Sequence, residues 1–333
     1  MNIQEVGAMN IEVSRRQFMQ RASAGLADTT LGALGFGGIE SAYATSMKQP
    51  TGDLLPLGWQ VYVAPEMPVA MNEIPPGQSE RRWPPTTSTL IFGSRDAVLV
   101  DALFTFAQVE HLSEWVVRNG KALTAICITH CHGDHYLGAG TILRRFPAAQ
   151  VVAAPQVVRR MRQQGSAEDV RSQWEKLFPG QIPEHIIIAE DLVGNTLHLE
   201  GRELVAVDAG DTDTTDTTFL HVPSISLVVA GDVAYNDVHL HLSESTPATR
   251  QEWITALDKI ETLRPRAVIA GHKRPDAEDD PRIVEETRRY IRDFDRLVET
   301  ASSARELYDR MLELYPNRLN PGALWSSALA AKR

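Results

Sequence analysis

Three histidines and an aspartate stand within six residues, at His130, His132, Asp134 and His135, directly after the apolar run Thr124–Ile128. Imidazole nitrogens and a carboxylate at this spacing suit a divalent transition metal such as zinc, which takes nitrogen and oxygen donors together. Two further apolar runs end in donors of the same kind. Ser226–Ala230 leads into Gly231-Asp232, and Ala267–Ala270 leads into Gly271-His272. The glycine ahead of each donor lets the backbone turn sharply and approach closely. Three strand ends carrying ligand-type residues form one constellation, more specific than any of them alone.

The chemistry that fits is metal-assisted hydrolysis, in which the metal lowers the pKa of a water toward neutrality and polarises the electrophile. Asp134 and Asp232 can orient the resulting nucleophile or take its proton. Tyr235, His239 and His241 follow Asp232 closely and are candidates to assist the leaving group. If that segment is extended, His239 and His241 share one face.

The elements that must position these residues alternate between strands and helices. Leu57–Ala64 reads as a first strand, and the Pro- and Gly-rich stretch Pro65–Pro85 as a long loop that overhangs the site. Thr89–Phe92 and Ala97–Val100 flank Gly93–Asp96, a hairpin signal. Ala107–Asn119 has helical periodicity and stops at Gly120. Thr124–Ile128 is a buried-type strand, so the His cluster sits at its carboxyl end, where α/β sheets place ligands. Tyr136–Phe146 reads as a helix, Val151–Ala154 as a strand, and Pro155–Gln164 and Ala167–Phe178 as helices. Strands are expected at Ile186–Ile188, Thr196–Leu199, Glu203–Val207, Thr217–Val222 and Ser226–Ala230. After them come a helix at Arg250–Leu263 and a strand at Ala267–Ala270. Two helices (Arg282–Thr300, Ala304–Tyr315) precede a Pro-, Gly- and Asn-bearing tail. This mixed order in two halves predicts a layered α/β/β/α sandwich.

A chain of 333 residues with 43% hydrophobic and 23% charged residues has the composition of an ordinary globular protein. Its net charge of −10, with no long block of Lys or Arg, argues against a nucleic-acid partner. The partner expected is a small-molecule substrate. The two cysteines, Cys127 and Cys131, are expected as free thiols: on a strand their Cα atoms would lie roughly 13 Å apart, beyond disulfide reach. Ser14-Arg15-Arg16-Gln17-Phe18-Met19, the weakly apolar run Ala22–Ile39 and Ala42-Tyr43-Ala44 read as a twin-arginine export signal with its cleavage site. Residues 1–44 are then the signal, 45–280 the catalytic domain and 281–333 a C-terminal helical extension. Translation is expected to start at Met1 or Met9, and the mature chain, beginning near Thr45, is expected in the periplasm without a membrane anchor. The apolar side of the C-terminal helices has two destinations, the sandwich or the second copy of a homodimer.

Thr129-His130-Cys131-His132-Gly133-Asp134-His135 resembles the T-H-x-H-x-D-H signature of the metallo-β-lactamase-fold metallohydrolases, and the later motifs follow in that family's order from Leu57 to Arg274. The resemblance implies a four-layer αββα metallo-β-lactamase sandwich with one or two Zn2+ ions. It implies His130 and His132 at the first zinc, Asp134, His135 and His272 at the second, and Asp232 bridging. One departure stands out. Where the family has Gly-His-Thr, this chain has Gly210-Asp211-Thr212, so Asp211 falls at the position of a histidine ligand. A carboxylate can replace it, or the first subsite binds weakly.

The activity expected is zinc-dependent hydrolysis of an ester, lactone or similar acyl compound by hydroxide generated at the metal. A hydrolytic dehalogenase acting on activated aryl chlorides, as in a branch of the family with carboxylate-rich ligation, is the first alternative. A β-lactamase is disfavoured by Asp232, because the commonest β-lactamases carry cysteine there. A non-catalytic metal-binding protein, with Asp211 as the lesion, is the last. Trp83, in the Pro-rich loop, is the tryptophan best placed to line a pocket.

Overall fold

The computed structural model describes residues 56–333, so the export-signal segment lies outside the described residues. The chain opens with β1 (Gly58–Ala64), a small hairpin of β2 (Met67–Pro68) and β3 (Arg82–Trp83), then β4 (Thr86–Phe92) and β5 (Asp96–Val100). Helix α1 (Phe106–Asn119), β6 (Ala122–Ile128), α2 (Gly133–Tyr136), α3 (Ala139–Arg145), β7 (Gln150–Ala153), α4 (Pro155–Gln163) and α5 (Ala167–Leu177) follow. The second half runs through β8 (Glu190–Asp191), β9 (Thr196–Leu199), β10 (Arg202–Gly210), β11 (Thr217–Val222), β12 (Leu227–Asn236), α6 (Pro247–Thr262) and β13 (Ala267–Lys273). It ends with α7 (Ile283–Thr300), α8 (Ala304–Leu314) and α9 (Pro321–Ala331).

Ten strands form the path β8-β7-β6-β5-β4-β13-β12-β11-β10-β9, and β1 adds to β4. The path divides naturally where β4 meets β13, because their only registered pair is His272 with Thr86. Each half supplies one sheet of the sandwich, and a residue of the metal constellation sits at the seam. Side-chain alternation shows how β12 and β13 are covered on both faces. Leu227, Val229, Ala267 and Ile269 join the core facing the first half. Val228, Ala230, Val268 and Ala270 join a second core with Trp253 and Leu257 of α6 and Ile291 and Phe294 of α7. The period of two puts neighbours on opposite faces, and two apolar faces need two covering layers. With α1 packed on the first half through Val109, Leu112 and Val116, the order is α/β/β/α.

Short-range chemistry sets the element ends. Thr105 caps α1 by accepting from the Gln108 amide, and Gly120 closes it in the left-handed region. Thr246 and Thr249 reciprocally cap α6. Four departures from the sequence reading have physical causes. The expected helix Tyr136–Phe146 is two pieces, α2 and α3, because Gly138 sits against the carbonyls of Ala102 and Leu103, with its amide donating to the latter. The loop Pro65–Pro85 contains the β2–β3 pair, held by Glu66 on Arg82. Ile186–Ile188 is not a strand; the edge is β8, paired to β7 through Glu190 and Asp191. Finally, the C-terminal tail is a third helix. Asn320 caps α9 by accepting from the Ala323 amide, and Pro321 occupies its first turn, where a missing N–H costs nothing. Among the described residues no helix is long and apolar enough to cross a membrane.

Candidate metal centre

Strand β6 lies between β5 and β7 and runs parallel to both, so its carboxyl end delivers Thr129–His132 and the α2 turn to one rim of the sheet. There His130, Asp134 and His135 are fully or almost fully buried. Strands β12 and β13 are also parallel to each other and bring Asp232 and His272 to the same place. β12 is irregular where it matters, with register shifts between Val229 and Gly231 and between Gly231 and Tyr235. Gly231 adopts φ +52°, and a Cβ there would lie 2.7 Å from Thr129 Oγ1. This bulge aims the Asp232 side chain at the site. Backbone groups the ladder releases find partners on the outer helices: Trp253 Nε1 donates to the Val233 carbonyl at 2.8 Å, and the Tyr235 amide donates to Thr287 Oγ1 at 3.1 Å.

Two adjoining donor sets result. His130, His132, Asp213 and Asp232 form one, and Asp134, His135 and His272 the other; within each, the ligand atoms lie within 4.8 Å of one another. His132 Nδ1 is 2.9 Å and His130 Nε2 3.8 Å from Asp213 Oδ2. Asp232 stands between the sets, its Oδ1 3.3 Å from His135 Nε2 and its Oδ2 3.2 Å from His272 Nε2. Asp134 Oδ2 is 3.4 Å from His272 Nε2.

Outer hydrogen bonds fix the ring tautomers. His135 Nδ1 donates to Asp101 Oδ2 at 2.8 Å, and His272 Nδ1 to the Pro85 carbonyl at 3.1 Å. Thr129 Oγ1 gives its proton to Asp101 and so accepts from His130 Nδ1 at 2.9 Å. When these rings are neutral, as a metal ligand must be, each Nε2 lone pair points inward. His130 Nε2, His135 Nε2, Asp213 Oδ2 and Asp232 Oδ1 are all buried and lack a hydrogen-bond partner. Buried polar atoms are otherwise almost always satisfied, so convergent orphaned lone pairs on nitrogen and carboxylate oxygen fit metal binding.

Electrostatics agree. Burial opposes charge on the His132 imidazole, yet Asp213 and Glu244 hold it well above its ordinary value. Asp134, Asp232 and Asp101 do the same for His135. For His272, Asp232 and Asp134 outweigh burial and lift it to about 10. Burial and the neighbouring His135 push His130 down to about 4. Against burial, His135 and His272 hold both Asp134 and Asp232 below the usual carboxylate range. Without cations, protons on three imidazoles compensate the buried carboxylates. Metal uptake displaces those protons, so affinity rises with pH.

The sequence-derived residues are brought together with two exceptions. Asp211 lies outside both sets. Gly210 adopts φ +76° after a bulge in β10, and Asp211 turns away to accept from the Asp216 amide at 3.4 Å. Asp213, two residues on and fully buried, faces His130 and His132 instead. His239 also lies apart. β12 ends at Asn236 and Asp237 adopts φ 57°, and His239 beyond them is buried with its Nδ1 2.9 Å from Tyr290 Oη, where burial lowers it to about 3. His241 remains on the cleft beside Glu244. Tyr235 donates its hydroxyl to Asp232 Oδ2 at 2.8 Å, and burial together with Asp232 keeps it protonated. Trp83 lines the cleft as expected and also donates from Nε1 to Asp134 Oδ2 at 3.1 Å. Asp101 and Glu244 fall outside the sequence motifs; the one signal for Asp101 is a carboxylate closing a strand parallel to β6.

The donor sets open into a cleft of about 180 Å3. Trp83, Trp174, His241 and Glu244 line it beside the metal-capable residues, and Asn320 and Ala323 of α9 close another side.

A family model described as the metallo-beta-lactamase superfamily matches residues 81–272, more than half of the chain and every member of both donor sets. A hydroxyacylglutathione hydrolase from Synechococcus sp. (strain CC9902) is 42% identical over 60 residues; the match spans 18% of this chain and only 22% of that relative's length. Among solved structures, a metallo-beta-lactamase family protein from Thermus thermophilus aligns with a TM-score of 0.53 at 18% identity, over 81% of this chain and 91% of that one. The metallo-beta-lactamase DIM-1, in a structure exposed to ceftazidime, aligns with a TM-score of 0.50 at 16% identity, over 72% of this chain and 93% of that one. At these identities the two structures speak to the fold.

Proposed function

The chain belongs to the metallo-beta-lactamase superfamily, and from that premise we propose that it is a zinc-dependent hydrolase of an ester, lactone or similar acyl compound. The observation that carries this reading is the pair of donor sets sharing Asp232 at the floor of an open cleft. Nitrogen and oxygen donors together suit zinc. The donor residues of the two sets would hold the metal, which would supply Lewis acidity and lower the pKa of a water toward neutrality.

The remaining roles belong to the chain's own groups. Asp232 accepts from Tyr235, so its carboxylate is fixed between the two sets rather than free to rotate. The Trp83 indole fixes Asp134 in the same way. The buried, protonated Tyr235 hydroxyl is the nearest neutral donor to that carboxylate and can return a proton toward a departing alkoxide. Trp83 and Trp174 present apolar area to the substrate and exclude water from one wall of the cleft. A hydroxyacylglutathione hydrolase among the relatives supports an acyl substrate, with thioesters in the same class. The twin-arginine motif at residues 14–19 supports export to the periplasm.

The test is a substrate panel of aryl esters, lactones, thioesters, a chromogenic β-lactam and activated aryl chlorides, run on chain loaded with zinc and on chain stripped by chelation. Hydrolysis of one acyl class is expected, lost on stripping by at least about a hundredfold and restored by adding zinc back. Turnover indifferent to chelation, or turnover of the aryl chlorides alone, overturns the reading.

A further inference from the structure

Arg81 stands at the mouth of the same cleft, one residue before the β3 pair and far in sequence from the donor sets. Its side chain is built into the C-terminal helix. Nη2 donates to the Gly322 carbonyl at 3.0 Å and to Ser326 Oγ at 2.6 Å. The stem lies so close to α9 that a Cβ on Gly322 would be 3.3 Å from both Arg81 Cγ and Nε. A guanidinium held this way is a fixed object, not a waving surface charge.

What it lacks is a counter-ion and a full set of acceptors. Nη1 is buried with no hydrogen-bond partner. No carboxylate makes a salt bridge to Arg81 among the described residues; Glu73 acts on it only at a distance, and burial outweighs that attraction to weaken its hold on the proton. The neighbouring Arg82 differs, because Glu66 and Glu80 both pair with it. The fully buried arginines are matched as well: Arg250 by Asp295, and Arg288 by Asp258, Glu261 and Glu285. An orphaned guanidinium donor is costly unless something completes it. The planar fork of an arginine is matched best by a carboxylate or another planar oxyanion.

We propose that Arg81, clamped by α9, is a specificity-determining residue that binds a carboxylate carried by the substrate away from its scissile bond. The inference rests on the hydrolase reading for the identity of the ligand as a substrate, but not for the recognition itself. An acyl compound bearing a second, free carboxylate places its scissile carbonyl among the donor sets and its anion against Arg81 where it lines the cleft. This role also gives the C-terminal helices a purpose: α9 supplies both acceptors that orient the guanidinium, so the extension forms part of the cleft. Asn320, whose Oδ1 is committed to capping α9, lines the same side and has its amide nitrogen to offer as a second donor.

Binding separates this inference from hydrolysis. Phenylacetate and its uncharged amide, phenylacetamide, are titrated onto the zinc-loaded full chain, followed through the fluorescence of the tryptophans, two of which line the cleft. The native chain is expected to bind phenylacetate at least about tenfold more tightly than Arg81→Gln does, while phenylacetamide binds both proteins within about twofold. Zinc contributes equally to the two proteins and cancels in the comparison. Arg81→Lys keeps the charge without the fork and is expected to fall between them, which separates recognition from a collapse of α9. A native-like melting curve for Arg81→Lys completes that control. Equal phenylacetate affinity in the native chain and Arg81→Gln, absent binding to either, or equal loss of both ligands would overturn the proposal. If the substrate panel shows no hydrolysis while the Arg81-dependent preference persists, the hydrolase reading fails and the recognition stands.

Discussion

Asp232→Ala is expected to lower kcat/KM on the acyl substrate by at least about a thousandfold, equivalent to roughly 4 kcal/mol of barrier. The size follows from how much converges on one carboxylate. Its two oxygens face His135 and His272, it belongs to the first donor set, and it accepts the Tyr235 hydroxyl. Removing it takes an oxygen donor from the first donor set and from beside the second, and deprives Tyr235 of the carboxylate to which its hydroxyl donates. The protein should still fold, because the walls around Asp232 are the intact β12–β13 ladder and the Trp253 and Thr287 contacts to the strand backbone. Steady-state kinetics with zinc in excess, alongside a melting curve, reads both quantities. Activity within about tenfold of the native chain would remove Asp232 from the centre of the site.

Gly271→Ala is expected to be nearly as damaging, although it removes no functional group. A Cβ at Gly271 would lie 2.1 Å from Asp232 Oδ1, 2.8 Å from the Gly231 carbonyl carbon and 3.0 Å from His135 Cε1. Two of these neighbours carry donor atoms and the third is backbone, so no flexible side-chain end can give way. Either Asp232 swings out or β12 and β13 part at the bulge. Misplacing a reacting group by about 1 Å can cost a hundredfold in rate, and overpacking a tight interior costs about 1–3 kcal/mol. The expected result is a fall of at least about a hundredfold in kcat/KM, with a drop in Tm of about 2–12 °C for a domain of this size. Gly271→Ala with native rates would show that the strand ends are not held as close as the structure places them.

Much of this arrangement is legible in the sequence because it depends on local pattern. The apolar run Thr124–Ile128 followed by three histidines places a metal-binding loop at a strand end, and β6 ends there. Gly231-Asp232 and Gly271-His272 are readable for the same reason, since the glycines mark the close approach that the structure contains. Asp213 is not readable. Asp211 and Asp213 are the same residue type two positions apart, and which of them faces inward is decided by the β10 bulge and the left-handed Gly210, a matter of register. His239 illustrates a similar limit: alternation assigns a face only if the strand continues, and β12 stops at Asn236. Helix α9 is hidden in the sequence because Pro321 and Gly322 read as breakers. Behind the Asn320 cap, however, they open a helix, and the contacts of Arg81 come with it.

Two adjoining donor sets, with Asp213 rather than Asp211 completing the first, lead to a direct expectation for zinc stoichiometry. Metal content per chain, measured after zinc loading and exhaustive dialysis, tests it in the native protein, Asp213→Ala and Asp211→Ala. The expected values are about two zinc ions in the native chain and in Asp211→Ala, and about one in Asp213→Ala, with His135, Asp134 and His272 retaining the second. One zinc in Asp211→Ala with two in Asp213→Ala would contradict this assignment, and so would a native chain that holds none.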